Sequence, residues 1–210
     1  MWKRSLDFVM AALGLVLLSP LLLIVAAAVR LTSPGPALFR QRRVGRHGRD
    51  FTLLKFRTMT VKPLTESGQF EPGDVSRVTA VGRFLRGTKL DELPQLWNVL
   101  RGEMSLVGPR PEVRPWVERF PDRWRVILQV RPGITDPAAI LYRDEESILR
   151  ASTNPEQLYE EQILPSKLAI YESYVKDRTL LGDVKILLST FLALVFRPRV
   201  PRDTPSPTQR

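Results

Sequence analysis

From Leu6 to Leu31 the chain is almost wholly apolar, with Asp7 and Arg30 its only charges. A helix of ~24 such residues reaches ~36 Å, enough to cross a bilayer. Three topologies compete: a signal peptide ending near Ala26-Ala27-Ala28, an ordinary spanning helix, and a re-entrant hairpin that enters and leaves by one face. The run is long for a signal peptide. Ser19-Pro20 sits mid-run, where proline removes a backbone hydrogen bond and kinks the helix. In lipid the freed carbonyl needs a local partner, and the Ser19 hydroxyl is placed to supply one. Both flanks are basic, with Lys3 and Arg4 before and Arg30, Arg40, Arg42 and Arg43 after, so both ends are expected in the cytoplasm. The hairpin broken at Ser19 and Pro20 is preferred, with a single kinked span as the alternative.

Pro34-Gly35-Pro36 ends this segment. Two strands follow, Ala37–Arg43 and Asp50–Thr58, around a Gly45–Gly48 turn. In the second strand Lys55 and Arg57 alternate with Leu54 and Phe56, which alone reads as a solvated strand face. Val61–Asp74 is Pro/Gly-rich and polar, a surface loop. Val78–Thr88 reads as a helix. Leu93, Leu96, Trp97 and Leu100 fall on one apolar face of the next helix. Pro94 is tolerable only in a first turn, so that helix begins near Asp91 or Glu92, and Gly102 stops it. Gly108-Pro109-Arg110-Pro111 and Arg131–Thr135 are rigid turns. Tyr159–Asp177 is a polar helix that Pro165 kinks or restarts. Asp183–Phe196 is too short to span at ~21 Å. It suits an amphipathic helix at the membrane interface, although a core helix has the same pattern. Residues from Pro198 onward, proline-rich and polar, suit a disordered tail.

Composition narrows the chemistry. There is no cysteine, hence no disulfide framework and no thiolate metal site. The one histidine, His47, lies in a glycine-flanked turn and excludes His-cluster metal sites. The formal charge is +10, and residues 1–60 carry most of it, with ten Lys/Arg against two Asp/Glu. Such an end suits nucleic acid or an anionic membrane. The adjacent apolar run favours the membrane, and the basic cluster has no aromatic stacking platform for nucleic acid.

The candidate chemistry lies in Asp91 and Glu92. An acid at a helix start is commonly only a cap. Beside fixed cations, however, it also meets the needs of phosphoryl chemistry: a charge that can attack or hold metal, and cations to receive phosphate. Lys89 and Arg86 lie just upstream. Arg86 is about one helical turn before Asp91 and is favoured as a ligand cation.

The stretch LDELPQLWNVLRGEMSLVGPRP (Leu90–Pro111) resembles the signature of the bacterial sugar transferases, the monotopic phosphoglycosyl transferases of glycoconjugate assembly. The likeness extends to KRSLDF (Lys3–Phe8), LLKFRTM (Leu53–Met59), VGRFLRGTKLDELPQ (Val81–Gln95), RPGIT (Arg131–Thr135) and GDVKILL (Gly182–Leu188), covering most of residues 1–196. It implies transfer of sugar-1-phosphate from a UDP-sugar to polyprenyl (undecaprenyl) phosphate, giving polyprenyl diphosphate-sugar and UMP. Asp91 would be the nucleophile, forming an aspartyl-phosphosugar intermediate, and Glu92 would position the site or help bind metal. Lys55 and Arg110 would contact phosphate. Mg²⁺ would neutralise the diphosphate, with Asp91 as its ligand. The usual continuation after RPGIT is Gly-Leu-Ala-Gln with a later arginine; here it is Asp136-Pro137-Ala138-Ala139, with Arg143 in the arginine's place.

The expected fold is α+β and mostly helical. Residues 1–33 form the re-entrant membrane helix. Residues 34–197 form a compact cytoplasmic catalytic domain with a small β-hairpin and interfacial amphipathic helices, and 198–210 a disordered tail. The expected place is the cytoplasmic face of the bacterial inner membrane, as monomer or homodimer. Two other functions remain open: transfer in one ternary complex with Asp91 purely a metal ligand, and a non-catalytic membrane adaptor whose basic collar binds anionic lipid.

Overall fold

The computed structural model describes residues 2–61, 77–139, 141–143 and 145–196. Most of the surface loop expected over Val61–Asp74, and the whole tail from Pro198, lie outside the described residues.

The apolar run forms one helix, α1 (Trp2–Thr32), with Pro20 inside it. The helical assignment continues through Ser19-Pro20 without a gap. Proline at position 20 deprives the Val16 carbonyl of its normal donor. The Ser19 hydroxyl donates to that carbonyl at 2.7 Å, which offsets the loss. One face of α1 lies on the rest of the chain. Ala11, Leu15 and Leu18 pack with Phe51, Leu53, Leu96 and Val99, and Leu21, Leu22, Val25 and Val29 pack with Phe56 and Leu85. The opposite face exposes Val16, Leu17, Leu23 and Ile24.

Both ends of α1 are tied down. At the C-terminal end the Arg57 guanidinium is buried and donates to the carbonyls of Val29 (3.4 Å), Ser33 (2.8 Å) and Pro34 (2.7 Å). It thereby serves the orphan carbonyls of the last turn, where a cation is worth about 1 kcal/mol or more. Gly35 makes room: its φ is +111°, and a β-carbon there would sit 2.3 Å from the guanidinium. Arg57 is therefore a structural cap, not part of a solvated strand face. At the N-terminal end Arg4 donates to Val99 O (2.6 Å) and Leu100 O (2.8 Å), and Asp7 accepts the Leu106 N–H at 3.2 Å.

The hairpin is as expected. Strands β1 (Leu38–Val44) and β2 (Asp50–Phe56) pair antiparallel, from Leu38 opposite Phe56 to Val44 opposite Asp50. Helix α2 (Ala80–Thr88) follows, its start capped by the Thr79 hydroxyl accepting from Gly82 N. The next helix departs from expectation. Leu90–Glu92 is a 3₁₀ turn, and the α-helix α3 runs only from Gln95 to Arg101, ending at Gly102. Its buried face is Gln95, Leu96, Asn98 and Val99, while Trp97 is exposed. The shift follows from packing: α3 is wedged between α1 and β2, so two sides of it are covered, and one is a polar side with a specific partner. The Asn98 amide accepts from Leu54 N (3.1 Å) and donates to Thr52 O (2.7 Å), stitching α3 to β2.

Two three-residue strands, β3 (Ser105–Val107) and β4 (Gly133–Thr135), pair in parallel. Between them lie α4 (Arg114–Arg119) and α5 (Pro121–Ile127). After β4 come α6 (Glu145–Ala151), α7 (Pro155–Leu158), a π-helical stretch (Tyr159–Ile163) and α8 (Leu164–Asp177), with Pro165 in the first turn of α8. Pro165 thus restarts the helix after an irregular segment. A core of Trp116, Trp124, Ile127, Leu164, Leu168 and Tyr171 joins these elements to Val44. The last described helix, α9 (Leu180–Phe196), exposes Leu181, Leu188, Phe191, Leu192 and Phe196. Among the described residues the fold is mostly helical, with two small sheets.

Candidate active site

Asp91 and Glu92 lie in the 3₁₀ turn that Lys89 aims. Lys89 caps α2 in the left-handed region (φ 59°, ψ 14°), where a residue with a β-carbon costs roughly 1–3 kcal/mol. The reversal drives the acidic pair inward, leaving Asp91 7% and Glu92 8% exposed. A cap at a helix start would normally meet water. Asp91 accepts no capping N–H, so the capping role is not what holds it there.

Strand β2 supplies the first cation. Its alternation puts Lys55 on the same face as Phe51 and Leu53, so the side chain points into the domain. Lys55 Nζ donates to Glu92 Oε1 at 2.9 Å. The rigid turn supplies the second: Arg110 Nη2 donates to the same Oε1 at 2.7 Å. The turn is itself held by β4, through Gly108 N to Thr135 O (3.0 Å) and Gly133 N to Pro109 O (2.9 Å). Gly108 and Gly133 touch through their backbones, and a β-carbon on Gly133 would lie 2.1 Å from Gly108 N.

Electrostatics separate the two acids. Burial opposes ionisation of Glu92, yet Arg110 and Lys55 hold its carboxyl well below the usual range. In return Glu92 raises the Arg110 guanidinium well above its ordinary value, while burial lowers Lys55. Asp91 goes the other way. Burial pushes it up, aided by the Glu92 charge and opposed by Lys55, Lys89 and Arg110. Its Oδ1 is buried and has no hydrogen-bond partner. Such an atom is costly to bury and points to a ligand or a reaction.

The predicted site residues thus divide. Lys55, Asp91, Glu92 and Arg110 converge. Arg86 Nε donates to the Thr58 hydroxyl at 3.0 Å, and among the described residues no hydrogen bond joins it to these four. Lys89 is an α2-side charge acting on both acids, at the left-handed turn that reverses the chain. Arg143 lies in the turn at 141–143 and hydrogen-bonds to none of the four. Ser19 and Pro20 belong to α1, away from this cluster.

Sequence reasoning missed what stands behind the cations. Gln95, 2% exposed, lines a narrow cleft with Arg43, Leu53, Lys55, Arg110 and Pro111, and its Nε2 has no partner. Arg43 reaches Pro111 O (3.1 Å) and Glu112 (2.9 Å), and Tyr159 donates to Glu112 at 2.9 Å. Asp136, the departure from the family pattern, is buried; its Oδ1 accepts from Ala138 N (2.9 Å) and the Tyr171 hydroxyl (3.2 Å). Its charge adds to that of Glu92 in raising Arg110. The only sequence signal for Asp136 was the departure itself.

No group of three or more potential metal-ligating acids or histidines occurs among the described residues. The free Asp91 Oδ1 is nevertheless a suitable hard-oxygen ligand. One carboxylate suits Mg²⁺ when substrate phosphate oxygens and waters fill the rest of the shell.

A buried acid pair, one member clamped by a strand lysine and a turn arginine, on a domain bound along an apolar helix, matches a known class. The profile of the bacterial sugar transferase family covers residues 1–197, and the chain belongs to that family. It is 44% identical over 201 residues to the UDP-glucose:undecaprenyl-phosphate glucose-1-phosphate transferase of Caulobacter vibrioides, covering 92% of this chain and 69% of that one. It is 36% identical over 207 residues to the exopolysaccharide production protein ExoY of Sinorhizobium fredii, covering 91% and 84%. To the UDP-glucose:undecaprenyl-phosphate glucose-1-phosphate transferase of Escherichia coli it is 39% identical over 196 residues, 90% of this chain but 39% of that protein. The chain spans only part of such longer relatives.

Proposed function

We propose that this protein transfers sugar-1-phosphate from a UDP-sugar to undecaprenyl or a related polyprenyl phosphate at the cytoplasmic face of the membrane, through an aspartyl-phosphosugar on Asp91. The relatives' names support the substrates. The observation that carries the mechanism is the asymmetry of the acid pair: Glu92 Oε1 takes two cationic donors, while Asp91 Oδ1 is buried and unengaged. A nucleophile needs a free lone pair, and neighbouring cations to screen its approach to a dianionic donor.

In this reading the Asp91 carboxylate attacks the phosphorus bearing the sugar, and UMP leaves with the bridging electrons. The acceptor phosphate oxygen then attacks the same phosphorus, and Asp91 is regenerated. Lys55 and Arg110 receive the phosphoryl oxygens; Glu92 holds both cations in place and keeps them charged. Lys89 favours ionisation of Asp91. When bound, Mg²⁺ would be held by Asp91 and would neutralise diphosphate charge.

The alternative single-step transfer draws on the same free oxygen, as a metal ligand only. An adaptor that merely binds anionic lipid would need no buried acid pair.

The topology supported best is monotopic. Lys3, Arg4 and Asp7 fasten one end of α1 and Arg57 the other, to one compact domain. A helix of about 46 Å held at both ends by a single domain favours having both ends on one side of a bilayer. The exposed apolar faces of α1 and α9 supply the membrane contact. Function is tested by UMP release from a panel of UDP-sugars with polyprenyl phosphate in the membrane. No UMP from any donor, with folded protein, would overturn the reading.

A further inference from the structure

From the sequence Lys3 counts only as part of the basic flank of the apolar run. In the structure it faces the protein. Its ammonium pairs with Asp183 Oδ2 in the first turn of α9 and donates to the Val107 carbonyl at 3.1 Å. Tyr174 in α8 donates to the other Asp183 oxygen at 2.7 Å and reaches the same Val107 carbonyl at 3.2 Å. Asp183 is buried and both its oxygens are occupied.

The carbonyl on which these groups converge belongs to the last residue of β3. The next residue opens the Gly108-Pro109-Arg110-Pro111 turn. On one side the turn is gripped by β4; on the other its root is held by groups from α1 and α8, with Asp183 of α9 aligning both donors. The two helices with the largest exposed apolar faces thus meet three residues from the arginine that holds Glu92. The two prolines stiffen the backbone of the turn, so the Cα of Arg110 follows the turn's root, and the guanidinium it carries is held by Glu92.

We propose that Lys3, together with Asp183 and Tyr174, is a positioning residue for Arg110, so that the phosphate-binding turn is correctly set only when α1 and α9 are both seated. Seating of the membrane helices and assembly of the site are then one event. This rests on the phosphate role given to Arg110 above.

The test compares wild type, Lys3→Met, Tyr174→Phe, Arg110→Ala and the Lys3→Met/Arg110→Ala double variant. Each is reconstituted in nanodiscs containing polyprenyl phosphate, and UMP release is followed over a range of UDP-sugar concentrations. Lys3→Met and Tyr174→Phe should each lower kcat/KM by about 10- to 100-fold, the scale expected for a misplaced catalytic group. Their amount of reconstituted protein should match wild type. In the Arg110→Ala background Lys3→Met should have little further effect, since the group it positions is gone. Losses that multiply independently would overturn the coupling. So would wild-type kinetics of reconstituted Lys3→Met with only targeting in cells impaired, because Lys3 would then be a topological charge. Should Lys3→Met give no reconstitutable enzyme, Tyr174→Phe decides, and normal kinetics there overturn the proposal. A wild-type rate in Arg110→Ala would remove the phosphate role of Arg110 and this inference with it. A normal Lys3→Met beside a crippled Arg110→Ala would remove the coupling alone.

Discussion

Asp91 and Glu92 are consecutive and equally buried, yet Glu92 Oε1 receives two cationic donors while Asp91 Oδ1 receives none. The difference arises from the 3₁₀ turn, which sends adjacent side chains in different directions. Their charges are consequently held in opposite ways. Glu92 is stabilised in its ionised form and Asp91 is penalised in its own.

That penalty has a measurable sign. Asp91 has a raised folded value, so the folded state binds its proton more tightly than the unfolded chain does. Stability from this group is present in acid and lost as pH rises through the folded value. At neutral pH the ionised carboxylate therefore costs stability. Asp91→Asn should melt at the same temperature as wild type or a few degrees higher, while turnover disappears. A marked fall in melting temperature on thermal denaturation would mean that Asp91 is a structural acid.

Glu92 should show the reverse. Its depressed value means that its contribution is present above the unfolded value and is lost as pH falls through the folded one. Glu92→Gln leaves two half-buried cations sharing a neutral acceptor. It should destabilise the protein by about 1–3 kcal/mol in chemical denaturation and slow turnover.

The cations should not be interchangeable. Lys55→Ala and Arg110→Ala should each cost on the order of 10²-fold or more in turnover if they stabilise phosphoryl charge. Arg110→Lys should also fail, because a point charge on a flexible stem cannot replace the fork reaching Glu92 and a phosphate. Steady-state UMP release measures both, and wild-type rates for Arg110→Lys would show that charge alone is enough.

Much of this arrangement was legible in the sequence. The strand expected over Asp50–Thr58 appears as β2, the Pro-Arg-Pro turn marked Arg110, and the family signature linked them to Asp91. What escaped depended on contacts between distant residues. A left-handed Lys89 brings its charge to the acid pair, and no local pattern announces a non-glycine residue in that conformation. Strands β3 and β4 are three residues each and exist only because Gly108 meets Gly133. Arg57 read as solvated because its partners lie at the end of α1. Lys3 and Arg4 read only as a basic flank of the apolar run because charge counting cannot see Val107, Val99 or Asp183.

Topology can be read by labelling. Trp2 is 84% and Leu31 87% exposed, at opposite ends of α1. In a chain without native cysteine, Trp2→Cys and Leu31→Cys should both resist an impermeant thiol reagent applied outside intact spheroplasts, and both react after lysis. Reaction of one alone from outside would require a spanning helix.

The covalent step is tested most directly by exposing the enzyme to UDP-sugar radiolabelled in the sugar, without acceptor. If Asp91 attacks, label stays on the protein, up to about one UMP is released per active site, and hydroxylamine removes the label as expected of an acyl phosphate. Adding polyprenyl phosphate should then chase the label into lipid, and Asp91→Asn should never acquire it. Rapid turnover with both substrates, but no label and no UMP from donor alone, would contradict the account and leave Asp91 a metal ligand in a single-step transfer.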